Sequence, residues 1–251
     1  CDERRSLKDS RPLIISLGIN VCIGFVHYQI GKPAPLRQNP PYCSGLRATN
    51  EKRHCGYLHQ STMNNLRARI KEKRKQLSDE SLKLIGNDIL KNIQASISFE
   101  DHQKISTYFS VNNEVDTSEL NNYLWSINKD VFLPKIKQDT LVFSGYKKDL
   151  KLSLNNYGIP EPDHIDENLI EAAQCDLMFI PLVAFDSNCN RIGMGGGYYD
   201  KTLAFKKGSA SKNKTLLVGL AYEFQKIDSI EKNAWDIPMD AIITEDKTYK
   251  A

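Results

Sequence analysis

This sequence predicts an α/β fold: a three-layer α/β/α sandwich around a mainly parallel sheet. Three observations predict it. Short apolar segments alternate with amphipathic helical segments from residue 63 onward, and strands interleaved with helices favour a parallel sheet covered on both faces. Residues 176–185 (DLMFIPLVAF) are almost entirely apolar, as a strand buried on both faces must be. A chain of 251 residues with 40% hydrophobic and 26% charged residues has the length for a substantial core and a globular composition. No uncharged apolar run approaches the roughly 18 residues that a membrane-spanning helix needs.

The elements are expected in the following order. Leu66, Ile70 and Leu77 share one face of a helix otherwise rich in Arg and Lys. Ser78, followed by Asp79 and Glu80, reads as an N-cap with acids in the first turn. It opens a helix with Leu82, Ile85, Ile89 and Ile93 on one side. Residues 104–109 read as a strand, and Thr117 caps a helix through Leu120, Leu124 and Ile127. Residues 130–133 and 141–146 are strands again. A looser stretch with Tyr157, Pro160 and Pro162 follows, then a short helix over 167–174. In the apolar strand 176–185, Pro181 marks an end or a bulge, because proline cannot donate to the ladder. A glycine-rich turn, a helix from Tyr198, a solvated loop over 206–214 and strands at 215–221 and 241–244 complete the chain.

Residues 1–62 are a different kind of sequence. They hold nine Lys/Arg against four Asp/Glu, which leaves 25 against 27 from residue 63 onward, so a net +5 segment precedes a net −2 one. They also hold half of the ten prolines and four of the six cysteines, Cys1, Cys22, Cys43 and Cys55. The run from Pro12 to Val26 is diluted by Asn20 and two glycines and lacks a clean cleavage site, which argues against a signal or anchor. Cys43, His54, Cys55 and His59 lack the short knuckle spacing of structural zinc sites. The expectation is a poorly ordered or non-native extension, with the folded domain over 63–251. A nucleic-acid-binding module is disfavoured, since the motif-bearing part is net acidic and shows no basic stripe interleaved with aromatics. Cys175 and Cys189 bracket a buried strand and fit reduced thiols in a cytoplasmic protein.

The chemistry is concentrated in residues 191–200, RIGMGGGYYD. Gly193, Gly195, Gly196 and Gly197 follow a buried strand and can turn their N–H groups toward an anion. A helix starting at Tyr198 adds the positive end of its dipole, and Arg191 can neutralise phosphate oxygens. The run matches neither the dinucleotide fingerprint nor the P-loop. Asp200 reads either as a magnesium ligand or as an acid in a first helical turn.

The block IPLVAFDSNCNRIGMGGGYYDKTLA closely resembles the signature of the 5-formyltetrahydrofolate cyclo-ligase family, and the similarity runs over residues 64–241. The segment from Phe109 to Thr117 resembles the family's strand-end segment with its substrate-binding glutamate, here Glu114. WDIPMD, ending at Asp240, resembles the segment that supplies a second magnesium-binding carboxylate. The resemblance implies the sandwich fold, ATP and Mg2+ as co-substrate and metal, and ring closure of a reduced folate, with or without a polyglutamate tail, to the methenyl form. It implies ATP contacts at Asn64, Asn65, Leu66, Arg67, Arg191, Ile192, Gly193, Met194, Gly195, Gly196, Gly197, Tyr198 and Tyr199. It implies substrate contacts at Phe109, Glu114, Tyr157, Met194, Gly195, Gly196, Gly197 and Tyr198. Arg191, Tyr198 and Asp200 are then the catalytic residues, and Asp200 and Asp240 the metal ligands. The chain departs from the pattern at Met63, where the family carries a lysine. A monomer or weak dimer is expected, with no nucleic-acid or membrane partner. The remaining alternative is another phosphate-binding α/β enzyme, such as a sugar-phosphate isomerase or acyl transferase, which has no need of a two-carboxylate metal site.

Overall fold

The computed structural model describes residues 51–162, 169–207 and 213–251, with side chains from residue 62 onward. Helix α1 (Glu51–Lys75) runs through position 63 without a break, so the boundary expected there falls inside a helix. The expectations for residues 1–50 lie outside the described residues. Ser78 caps α2 (Asp79–Ser96) as expected, its Oγ accepting the Ser81 amide at 3.2 Å. At α3 (Ser118–Ser126) the capping differs. Thr117 holds the cap position, but its hydroxyl donates to the Tyr108 carbonyl at 2.6 Å, and the Asp116 carboxylate accepts from the Ser118 amide and hydroxyl instead.

The strands, in chain order, begin with β1 (Lys104–Ser106), β2 (Asp130–Lys137) and β3 (Thr140–Gly145), followed by a small pair, β4 (Leu152–Leu154) and β5 (Pro160–Pro162). β6 (Leu177–Pro181) comes next, then a second small pair, β7 (Ala184–Phe185) and β8 (Arg191–Ile192). The short helix α4 (Tyr198–Thr202) leads to β9 (Leu216–Leu220), β10 (Ala241–Ile243) and β11 (Thr248–Lys250). Seven strands form one sheet in the order β11-β10-β9-β6-β1-β2-β3. It is parallel from β10 to β2 and antiparallel at both edges.

β6 explains the apolar run that predicted it. Leu177 and Phe179 enter one core with Ile89, Ile93, Leu120 and Leu124 of α2 and α3, while Met178 and Ile180 enter the other with Leu203 and Met239. Alternate side chains thus serve opposite faces, so no position is left for a polar one. The strand ends at Pro181, earlier than residue 185. The Val183 amide then donates to Ile192 at 2.7 Å, and the chain continues as the antiparallel β7–β8 pair.

The second face carries less helix than the sequence suggests. The helix expected over 167–174 is a single 3-10 turn at Ala172–Gln174. Ile170 exchanges backbone hydrogen bonds with Phe143 in both directions at 2.9 Å, which holds it extended; residues 167 and 168 lie outside the described residues. The looser stretch expected around Tyr157 is the β4–β5 hairpin. Among the described residues no helix is long and apolar enough to cross a membrane. Cys175 and Cys189 are free and buried, and burial pushes the Cys175 thiol up to about 12.

From β1 the chain builds β2 and β3 to one side, and β6, β9, β10 and β11 to the other. The order reverses between β1 and β6, and such a switch point opens a crevice beyond the carboxyl ends of the two strands.

Candidate functional site

A cavity of about 1,220 Å3 occupies that crevice. It exceeds the roughly 300–1,000 Å3 typical of a site for one small ligand. Tyr108 and Phe109, just past β1, and Pro181 and Leu182, at the end of β6, line it. So do Glu114, Tyr157 on the β4–β5 hairpin, Met63 and Arg67 from α1, and every residue from Arg191 to Asp200. Its rim is apolar in an unusual way. Phe109, Tyr157, Met194 and Trp235 are 37%, 65%, 46% and 61% exposed, and all four face the cavity. Exposed large apolar side chains gathered at one mouth mark a ligand-binding groove.

The glycine run bends because its residues allow it. Gly195 sits at φ +104°, a conformation costly for any residue with a Cβ. A Cβ on Gly196 would lie 2.9 Å from the Tyr198 ring. Arg67 braces the loop, its Nε donating to the Gly193 carbonyl at 2.9 Å and its Nη1 to the Asn64 side chain at 3.1 Å. Asn64, Asn65 and Leu66 do not line the cavity, so this helix brings in Arg67 and Met63 alone of the residues singled out there. The expected helix after the loop has only five residues, Tyr198–Thr202, and no side-chain cap. Its dipole is correspondingly small.

Arg191 and Asp200, read from the sequence as separate phosphate and metal contacts, are bonded to each other. The Arg191 Nη2 donates to the Asp200 Oδ1 at 2.7 Å, with the two side chains 3% and 24% exposed. The Arg191 guanidinium also lies 5.8 Å from the Tyr199 ring centre. Its Nε is buried and has no hydrogen-bond partner among the described residues. The Tyr198 hydroxyl pairs with that of Tyr157 at 2.8 Å, tying the glycine loop to the hairpin. That bond raises the Tyr198 pKa, and burial raises that of Tyr199, so both stay neutral donors near pH 7.

Glu114 is 6% exposed. Burial pushes its carboxyl above the usual glutamate range; Arg74, with Nη1 3.7 Å from Oε1, and then the Val111 amide pull it back in part. A second buried acid of the wall, Glu161, accepts the Ile136 amide at 3.2 Å and the Asn155 side chain at 2.7 Å. Sequence reasoning missed Glu161 and Arg74, since neither belongs to a motif and both gain meaning only from partners distant in the chain.

Asp240 is a correction. It precedes β10 at the amino edge of the sheet, where its Oδ2 accepts the Leu217 amide at 2.8 Å, and it does not line the cavity. The parallel strands place that edge opposite the crevice, so Asp200 and Asp240 do not form one site. Asp236, in the same WDIPMD segment, does line the cavity. Its Oδ2 accepts both Asn233 donors, at 2.8 and 3.1 Å. Among the described residues no cluster of three or more His, Cys, Asp or Glu side chains could by itself hold a metal.

The model of the 5-formyltetrahydrofolate cyclo-ligase family matches residues 59–245. A 5-formyltetrahydrofolate cyclo-ligase from Haemophilus influenzae is 36% identical over 187 residues, covering 68% of this chain and 97% of that protein. One from Escherichia coli is 29% identical over 184 residues, covering 72% and 99%. Among solved structures, the 5,10-methenyltetrahydrofolate synthetase of Aquifex aeolicus superposes with a TM-score of 0.63 at 28% identity, covering 75% of this chain and 92% of that one.

Proposed function

The chain belongs to the 5-formyltetrahydrofolate cyclo-ligase family, and from that membership we propose how its pocket carries the reaction. The activity is closure of 5-formyltetrahydrofolate to 5,10-methenyltetrahydrofolate in folate one-carbon metabolism. Family membership sets aside the isomerase and acyl-transferase readings of the glycine run. ATP is the second substrate, and ADP and phosphate leave. The observation that carries the assignment is that Glu114 and the glycine run open on one cavity large enough for two ligands.

A formyl amide is a poor electrophile, because the nitrogen lone pair is delocalised into the carbonyl. Transfer of the γ-phosphoryl group to the formyl oxygen gives an iminium phosphate. The neighbouring amine attacks that carbon, loses its proton, and the C–O bond to phosphate breaks. Phosphoryl transfer depends chiefly on positioning and charge neutralisation. The amides of Gly195, Gly196 and Gly197, with Arg67 and Arg191, hold the phosphates. Phe109, Tyr157, Met194 and Trp235 supply apolar faces for a flat pterin. Glu114 accepts hydrogen bonds from the pterin amino and ring N–H donors.

Asp200 and Asp236 fit a magnesium ion, which takes only one or two carboxylates from protein and completes its shell with phosphate oxygens and water. Asp200 keeps Oδ2, and Asp236 keeps Oδ1, free of hydrogen-bond partners among the described residues. Bound there, the ion would neutralise charge on the transferring phosphoryl group. We place the enzyme in the cytoplasm, where thiols such as the two buried ones stay reduced.

Glu114→Gln is expected to raise the folate KM by at least about tenfold, the scale of losing one charge-assisted hydrogen bond, while the ATP KM barely moves. The wild-type enzyme is expected to lose folate affinity on acidification at a pH above the usual glutamate range, since burial raises the pKa of Glu114. The Gln variant should lack that limb. Equal damage to both KM values would make Glu114 structural.

A further inference from the structure

The apolar face of α1 carries one residue that breaks its pattern. Arg74 follows Ile70 by one helical turn, where the period calls for another apolar side chain, and it is 1% exposed. Local rules broken in a core point to function. Arg74 does not line the cavity, so it does not touch a ligand there. Its Nη2 donates to the carbonyl of Leu182 at the end of β6, its Nη1 lies 3.7 Å from the Glu114 Oε1, and its Nε has no hydrogen-bond partner among the described residues. Its own carbonyl accepts from the Asn113 side chain at 3.0 Å, so the loop bearing Glu114 is tied to the same helical turn.

We propose that Arg74 is a positioning residue for folate recognition: from beneath the pocket it keeps the Glu114 carboxylate ionised and fixed without contacting substrate. The inference rests on the role assigned to Glu114. A buried carboxylate without a cation takes up a proton instead of remaining charged, and a protonated Glu114 would meet the pterin donors with a donor of its own. The other groups around Glu114 do not replace Arg74. Lys71, also on α1, acts on Glu114 more weakly than Arg74 does. Tyr108, Tyr199 and Tyr222 surround the site, the last donating to the Glu114 carbonyl at 3.1 Å. All three are held neutral by burial. With the tyrosines neutral, Glu114 is the group there whose charge changes on acidification.

The test is the folate KM as a function of pH for wild type, Arg74→Met and Arg74→Lys. In Arg74→Met the acid limb should move up by at least about one pH unit, a roughly tenfold higher folate KM below both limbs that vanishes at alkaline pH, with the ATP KM within about twofold. Arg74→Lys should restore most of the difference. A rise that is the same at every pH, one shared by both substrates, or no rise at all overturns the proposal. Should the Met variant fail to fold, carboxyl NMR of the wild-type protein labelled with 13C-glutamate decides, with Glu114 identified by its loss in Glu114→Gln. An ionised Glu114 at pH 7 is expected, and a protonated one overturns the proposal. If Glu114→Gln itself leaves the folate KM unchanged, the reading of Glu114 fails and the inference with it. A normal loss in Glu114→Gln beside an unshifted limb in Arg74→Met removes Arg74 alone.

Discussion

Arg191→Lys is expected to lower kcat by about 10²–10³-fold, the scale set by removing a preorganised donor from a developing charge. Lysine keeps the positive charge, so the loss isolates geometry. Arg191 does two things at once: its Nη2 holds the Asp200 Oδ1 at 2.7 Å, and its planar guanidinium lines the cavity beside the glycine run. An ammonium on a flexible stem cannot occupy both positions of the planar fork. The folate KM should change far less than kcat. Thermal melting serves as the folding control, because Arg191 is only 8% exposed and belongs to β8. A well-folded Lys variant with nearly wild-type kcat would remove Arg191 from the phosphate site.

The second large effect separates two aspartates four positions apart. Asp236→Asn should raise the magnesium concentration needed for half-maximal rate and lower kcat by about a hundredfold, since each carboxylate on a metal clamp counts heavily. Asp240→Asn should leave the magnesium dependence unchanged. Its bond to the Leu217 amide, 2.8 Å at Oδ2, needs only an acceptor oxygen, which asparagine retains. Asp200→Asn should resemble Asp236→Asn, and the Asp200–Asp236 double variant should be little worse than the worse single one, as groups acting as one unit are not additive. A magnesium titration of the four proteins measures this. A shifted midpoint in Asp240→Asn, with none in Asp236→Asn, would reverse the assignment.

Particular residues show where sequence was enough and where it was not. Leu66 and Ile70 on one face of α1, the Ser78 cap and the end of β6 at Pro181 are local facts, and the fold keeps each of them, whereas Leu77 lies past the end of α1 at Lys75. The glycine run was legible for the same reason: bending and close approach are properties of the residues themselves. Residues 167–174 misled because their apolar spacing suits a helix, yet Ile170 is held extended by a strand edge far away in sequence. The β4–β5 hairpin was hidden by its prolines, which the small sheet tolerates because both strands are short. Asp240 misled in another way. The WDIPMD segment reaches the cavity, but which of its two carboxylates faces the crevice depends on where β10 begins, a matter of register that spacing does not reveal. Arg74 and Glu114, on separate elements, acquire their relation only when α1 packs across the strand ends.

The most direct test of the central claim is to incubate the protein with 5-formyltetrahydrofolate, ATP and magnesium, following methenyl absorbance and ADP together. Methenyl product and ADP should appear in equal amounts, with neither formed when ATP or folate is withheld. Product formed without ADP, or ADP released without product, would contradict the account.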